Sequence, residues 1–252
     1  MTFLVPAEAY VRFMGRFSEP LAAGFADACG VRPGQRVLDV GCGPGALTAE
    51  LVRRLGPDAV TAIDPSPPFV EAAAARFPRV DVRTGAAEDL PFADGTFDAA
   101  LAQLVVHFMA DPIAGLREMG RVTRPGGTVG ACVWDHGGAQ GPLSVFWAAV
   151  HDLAPDAPGE ADRAGTHQGQ LVELARAAGL AGAEPGAVST TVAFPTFDDW
   201  WEPFTLGVGP AGAYVAGLDG DHRAALRDRC AELLPTAPFT VTVSAWSVTA
   251  RV

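Results

Sequence analysis

Val37-Leu38-Asp39-Val40-Gly41-Cys42-Gly43-Pro44-Gly45 is a short apolar run that carries an acid and then breaks into alternating glycines. A helical pattern begins at Ala46, with Leu47, Leu51, Val52 and Leu55 on one face. Strand, tight loop and helix in that order form the layout of a nucleotide-binding crossover in an α/β sheet. Glycines suit the loop because, without a Cβ, the backbone can turn sharply and approach a ligand closely. A dinucleotide fingerprint spaces its last two glycines by two residues, so that a helix N-terminus meets a pyrophosphate. Here the glycines stand at 41, 43 and 45, and Asp39 sits at the mouth of the loop. A carboxylate there would repel a phosphate and receive a cationic ammonium group. The ligand expected is one that bears a nucleoside.

Three further segments follow in order. Ala59-Val60-Thr61-Ala62-Ile63-Asp64 reads as an apolar strand ending in an acid, and Asp64 follows Gly45 by 19 residues. A spacing of about 20 puts a carboxylate on ribose hydroxyls in such folds; the alternative is an acid that caps the next helix. Ser66 is the better cap, with Pro67 and Pro68 suited to a first helical turn. Val80 to Thr84 reads as a strand and leads into Gly85-Ala86-Ala87-Glu88-Asp89-Leu90-Pro91-Phe92. Phe97 to Phe108 is a long apolar segment holding Gln103 and His107. Asp111-Pro112 then starts a helix striped by Ile113, Leu116, Met119 and Val122, and Arg124-Pro125-Gly126-Gly127 ends it before a strand at Thr128 to Trp134.

Together these segments resemble the class I S-adenosylmethionine-dependent methyltransferases, in the branch that includes the ubiquinone- and menaquinone-biosynthesis enzymes and many small-molecule methyltransferases. The resemblance covers residues 10 to 134 well and the remainder in outline. It implies S-adenosylmethionine as cofactor and S-adenosylhomocysteine as product. It also implies an α/β, Rossmann-like three-layer sandwich with a mostly parallel sheet, an antiparallel last strand and helical cap insertions. By the resemblance, the loop of Gly41, Gly43 and Gly45 passes under the amino-acid portion of the cofactor and Asp39 serves it. Asp64, followed by Pro65, holds the ribose. Ala86, Ala87 and Glu88 lie at the adenine, and Gln103 touches the cofactor. Ala86 stands where the family commonly has Asp or Asn, so a side-chain hydrogen bond to the base is missing or comes from Glu88 or a backbone amide. The N-terminal Tyr10 and Arg16 are expected to fold over the cofactor, Tyr10 on its methionine part and Arg16 on its carboxylate. The competing reading is an amphipathic helix that packs Tyr10, Phe13, Met14 and Phe17 and leaves Arg16 in water.

Composition narrows the partners. With 18 basic against 29 acidic residues the 252-residue chain carries a net charge of −11. A phosphate-backbone partner wants a basic face, so nucleic acid is not expected. Cys29, Cys42, Cys132 and Cys230 are scattered, no His/Cys cluster has zinc spacing, and no metal is expected. The positions of Cys42 and Cys132, in the glycine loop and in an apolar strand, read as reduced thiols in a cytoplasmic protein. No signal peptide and no membrane span are expected. Oligomeric state is left open.

The chain divides by this reading into N-terminal helices partly covering the cofactor (1–35), the cofactor-binding core (36–134), an insertion contributing to the cap (135–166), a core continuation (167–196), a cap over the acceptor site (197–237) and a final core strand (238–252). A helix is expected to start at Ser18, with Leu21, Phe25 and Cys29 on one side. Expected next are an irregular stretch over 136–141, a short helix over 143–153, an exposed loop over 154–165, a helix over 168–178, a strand over 188–194 and a last strand over 239–251. Trp134, at a strand's carboxyl end, and Trp200, Trp201 and Phe204 in the cap are expected to wall the acceptor pocket, because ligands of open α/β sheets bind outside those ends. They could equally fasten the cap to the core.

A sulfonium methyl is already activated, so transfer needs a nucleophile held in line and water excluded. If the acceptor is a hydroxyl, an amine or an acidic carbon, a base is also needed. His107 is the leading candidate, with His136 and His167 as alternatives; the other reading of His107 is a packing residue. The expected function is methyl transfer to oxygen, nitrogen or carbon of a small, largely apolar acceptor. A non-catalytic S-adenosylmethionine-binding protein and an NAD-dependent oxidoreductase are the alternatives.

Overall fold

The protein is described by a computed structural model covering residues 6–252. Its seven strands are β1 (Val37–Val40), β2 (Val60–Asp64), β3 (Asp81–Thr84), β4 (Phe97–Gln103), β5 (Thr123–Trp134), β6 (Glu184–Phe194) and β7 (Phe239–Arg251). They form one sheet in the order β3-β2-β1-β4-β5-β7-β6. β1 to β5 are mutually parallel, whereas β7 runs antiparallel to both of its neighbours, β5 and β6. Strands sandwiched between helix layers have no wet face, and β1 accordingly buries all four residues while β4 buries all but Asp98.

Two apolar clusters lie on opposite faces of the sheet. Successive residues of β1 divide between them, Val37 joining one and Leu38 the other. The first face carries α1 (Ala7–Tyr10), a π-helical turn (Val11–Gly15), α2 (Arg16–Ala28) and α3 (Ala46–Leu55); α4 (Pro67–Arg76) adds Ala73. The second face carries α5 (Pro112–Val122) and α7 (Gln170–Ala177). α5 shows why its sequence folds this way. The Asp111 carboxylate accepts from the N–H groups of Ile113 and Ala114 at 3.0 Å, and Pro112 needs no partner in the first turn. Leu116, Met119 and Val122 are fully buried, each worth about 1.5–3 kcal/mol relative to exposure.

The rest of the chain covers one end of the sheet. It includes α6 (Ser144–Leu153), α8 (Phe197–Trp201), a 3-10 turn (Glu202–Leu206), α9 (Gly209–Ala216) and α10 (Gly220–Leu233). Aromatic rings join this layer to the core: Phe146 stacks on Phe204 at 4.6 Å, and Phe13 meets Phe204 edge-on at 5.1 Å. Among the described residues no helix is long and apolar enough to cross a membrane. No group of three or more His, Cys, Asp or Glu side chains among them is arranged to hold a metal ion.

Three boundaries differ from the sequence reading. No helix starts at Ser18: the backbone is already right-handed helical from Ala7, and Ser18 is a buried residue inside that run. Its hydroxyl resembled a cap only because the π-helical turn upstream has no sequence signature. β5 begins at Thr123, since the Arg124–Gly127 turn motif is absorbed into an irregular strand start paired with Phe97. β6 begins at Glu184, where four exposed residues pair with β7 ahead of the apolar ones. β7 spans the residues expected of the last strand.

Gly45 and Gly43 separate packing from openness in the loop before α3. Gly45 has φ +96°, and a Cβ on it would lie 2.6 Å from the ring of Phe77. Gly43 has φ +54° and nothing within 4 Å of such a Cβ. Urea unfolding should therefore show Gly45→Ala losing about 2–4 kcal/mol, from left-handed strain plus overpacking, and Gly43→Ala about 1–2 kcal/mol from backbone strain alone. Equal losses would place no steric demand on position 45.

Candidate active site

The glycine loop is tied to the neighbouring strand by backbone bonds. The N–H groups of Gly41 and Cys42 both donate to the Ile63 carbonyl, at 2.7 and 3.0 Å. The Gly43 N–H donates to Asp64 Oδ2 at 2.9 Å, and Ser66 N–H donates to Asp64 Oδ1 at 2.8 Å. On the other side of the loop, Thr48 Oγ1 donates to Asp39 Oδ2 at 2.6 Å. Both carboxylates are buried. Burial raises the Asp39 carboxyl to about 7, opposed by the Thr48 bond and assisted by the charge of Asp64. Burial likewise raises Asp64, against the two N–H groups that stabilise its ionised form.

These groups open onto a pocket of about 230 Å³ at the carboxyl ends of β1, β2 and β4. Of the residues expected at the cofactor, Tyr10, Asp39, Gly41, Gly43, Asp64, Pro65, Ala86, Ala87, Glu88 and Gln103 all line it. The pocket therefore contains three carboxylates, and none of its lining residues is basic. Glu88 Oε1 is held by the N–H groups of Ala110 (2.7 Å) and Asp111 (3.3 Å). Gln103 Nε2 donates to the Ser18 carbonyl at 2.9 Å, while its Oε1 is buried without a partner among the described residues. An amide fixed at one end with a free acceptor at the other is a group waiting for a donor. The Tyr10 ring lies 5.0 Å from that of Phe69, and burial pushes its hydroxyl up to about 12.

Two expected residues lie elsewhere. Gly45 does not line the pocket: it faces Phe77 and serves the turn. Arg16 also points away, because its Nη1 donates to the Asp199 carbonyl at 2.5 Å and its guanidinium sits 5.2 Å over the Phe194 ring. These contacts fasten α2 to α8 and β6, so neither cofactor pairing nor free solvation describes Arg16.

A second, smaller cavity of about 40 Å³ adjoins the first and shares Tyr10, Leu104 and Phe108 with it. His107, Trp134 and His136, the residues expected at the acceptor, line it. Trp200, Trp201 and Phe204 do not. They are buried in the first apolar cluster and pack on one another and on Phe197, with ring centroids 4.7–6.4 Å apart. They fasten the cap. His107 is buried, its Nδ1 has no partner among the described residues, and its ring lies 3.9 Å from Phe108 and 6.2 Å from His136. Burial, then the charges of His136 and Arg163, hold His107 well below the usual histidine range. Burial and Arg163 take His136 down to about 4. Both imidazoles are neutral at pH 7.

Sequence reasoning missed Glu160, which is 3% exposed and lines the second cavity although its surroundings read as an exposed loop. No periodicity marks it; only Trp147, whose Nε1 donates to Glu160 Oε2 at 3.1 Å, brings it inward. Leu104 was missed as well. It holds φ +64°, rare for a branched residue, at the turn where β4 delivers the chain between the two cavities.

Residues 38–130 match the family described as methyltransferase domain. The demethylmenaquinone methyltransferase of Beutenbergia cavernae is 45% identical over 101 residues, covering 40% of this chain and 41% of that protein. That of Renibacterium salmoninarum is 36% identical over 149 residues, 59% of this chain and 61% of its own length. The chain thus spans between about two fifths and three fifths of these curated relatives. A SAM-dependent methyltransferase structure from Thermotoga maritima shares the fold with a TM-score of 0.56 at 18% identity, covering 97% of this chain and 96% of that one. With the glycine loop, the strand order and these matches together, residues 38–130 are similar to the methyltransferase domain family and to the demethylmenaquinone methyltransferases.

Proposed function

We propose that the protein transfers the methyl group of S-adenosylmethionine to oxygen, nitrogen or carbon of a small, largely apolar acceptor. The observation that carries this is a glycine-loop pocket lined by three carboxylates and by no basic residue. A dinucleotide pyrophosphate would find no counter-charge there, whereas an ammonium and ribose hydroxyls would find acceptors. The donor set fits the cofactor. Asp39 would receive the ammonium and Asp64 the ribose hydroxyls. Gln103 Oε1 offers an unused acceptor, and Ala86, Ala87 and Glu88 would border the adenine. Gly43 leaves open space where any side chain would stand.

When bound, the cofactor supplies an electrophilic methyl on a sulfonium. This chain's residues do the rest by positioning and by handling a proton. Tyr10, Leu104 and Phe108 wall the passage between the two cavities and exclude water from it. His107, neutral and lining the acceptor cavity, would take a proton from an acceptor that must lose one. A group held below the usual histidine range is a weak base, so it suits an acceptor that becomes acidic as the new bond forms.

Asp64→Ala should weaken S-adenosylmethionine and S-adenosylhomocysteine binding by about 1–3 kcal/mol in calorimetric titration, and unchanged affinity would remove Asp64 from the ribose. His107→Ala should lower turnover about 10²–10⁴-fold with cofactor affinity intact; a loss below tenfold leaves it a packing residue.

Asp39 gives a pH signature. Its carboxyl titrates near 7 folded and near 3.9 unfolded. The folded state therefore binds more protons between those values, and stability falls as pH rises through the window. In denaturation series from pH 4 to 7.5, wild type should lose stability relative to Asp39→Asn as pH rises. A constant difference would contradict the buried, cation-free setting of Asp39.

A further inference from the structure

The acceptor cavity has one polar face. Phe13, Met14, Trp134, Leu143 and Pro210 make its walls apolar, and Glu160, His107 and His136 interrupt them. Glu160 is the unexpected member. Burying a carboxylate costs several kcal/mol, and apolar replacements of buried ion pairs are often neutral or stabilising. The Trp147 indole needs only one neutral acceptor, so that bond alone does not call for a carboxylate.

The charge around Glu160 defines what it can hold. Its Oε1 lies 3.7 Å from Arg163 Nε, beyond hydrogen-bond distance yet close enough to offset its charge. The Arg163 guanidinium also sits 5.4 Å over the Phe108 ring. The face thus offers hydrogen-bond acceptors without the net negative charge an ammonium would seek. Each neutral imidazole contributes one acceptor nitrogen, and a carboxylate is acceptor-only when ionised.

We infer that Glu160, with the imidazoles of His107 and His136, is the specificity-determining face of the acceptor cavity, taking a hydrogen bond from a neutral O–H or N–H on an otherwise apolar acceptor. This rests on the methyltransferase reading. A purely apolar acceptor would leave His107 Nδ1 unpaired and Glu160 Oε1 without a hydrogen bond, and a site built to bind a donor rejects analogues that lack it. Glu160 is the residue that turns a greasy cavity into a selective one.

The test uses the full chain saturated with S-adenosylhomocysteine and ligand-observed NMR titration with phenol, aniline and anisole. Phenol, aniline or both should bind at least about tenfold more tightly than anisole, the gain of one good hydrogen bond. Phenol alone would make the donor a hydroxyl; both would make it any neutral donor. In Glu160→Gln the amide oxygen can keep the Trp147 bond while its NH₂ replaces the second acceptor oxygen. The preference should fall to within about twofold, with S-adenosylhomocysteine affinity unchanged. Arg163→Met supplies an independent arm. It leaves Glu160 without its counter-charge, so benzylammonium should gain at least about tenfold over wild type. The inference is overturned if wild type does not distinguish the probes or binds none, if benzylammonium is already its tightest ligand, or if the preference survives Glu160→Gln. Failure of S-adenosylhomocysteine to bind at the outset would instead overturn the methyltransferase reading.

Discussion

The Ile63 carbonyl accepts from two consecutive backbone N–H groups, those of Gly41 and Cys42, and the rest of the site depends on that junction. It stops β1 and turns the chain across the end of β2. The turn brings the carboxylates of Asp39 and Asp64 to one pocket although they lie on different strands. Only a loop that can fold tightly without colliding with Val105 or Phe77 can do this, and side chains at Gly41 or Gly45 would collide. Both carboxylates then sit where water is scarce, which raises both and leaves each short of a cation. A fold that keeps two unneutralised acids at the mouth of a glycine loop has stored an attraction for a positively charged ligand.

The N-terminal helix closes the arrangement from the opposite side. Tyr10 borders both cavities, Phe13 and Met14 wall the second, and the Ser18 carbonyl anchors Gln103 in the first. Arg12 pairs with Glu202, and Arg16 binds the Asp199 carbonyl, so the same helix is held to the cap. Arg12 and Glu202 are both more than half exposed, so that pair contributes little by itself. The buried aromatic contacts of Phe13 and Phe17 contribute more.

What was legible in the sequence was local and periodic. Asp39, Asp64 and the glycines announce themselves through strand-end position and spacing, and Asp111-Pro112 through capping chemistry. The second cavity was legible only where it adjoined those strands, at His107, Trp134 and His136. Trp200 and Trp201 look alike in sequence whether they face a ligand or a helix, and here they face the core. Arg16 has the chemistry to bind a carboxylate, yet a carbonyl on α8 reaches it first. Glu160 lies in a Pro- and acid-rich stretch whose composition reads as solvated. Its burial comes from one long-range bond to Trp147 that no local pattern encodes.

The position of β7 has a consequence for how the chain is made. β7 lies between β5 and β6, and among the described residues β6 makes ladders to β7 alone. During synthesis the parallel half of the sheet, β1 to β5, can assemble while later residues are still unmade. β6 must wait with its edge unpaired until some forty further residues (195–238) and then β7 have emerged. An alternating strand held open in that way is a template for pairing with other chains. Charged side chains are sparse along it, with Glu184 the only one within its span. The ribosome-bound chain is therefore most exposed to misassembly late, after its cofactor-binding half has already taken shape.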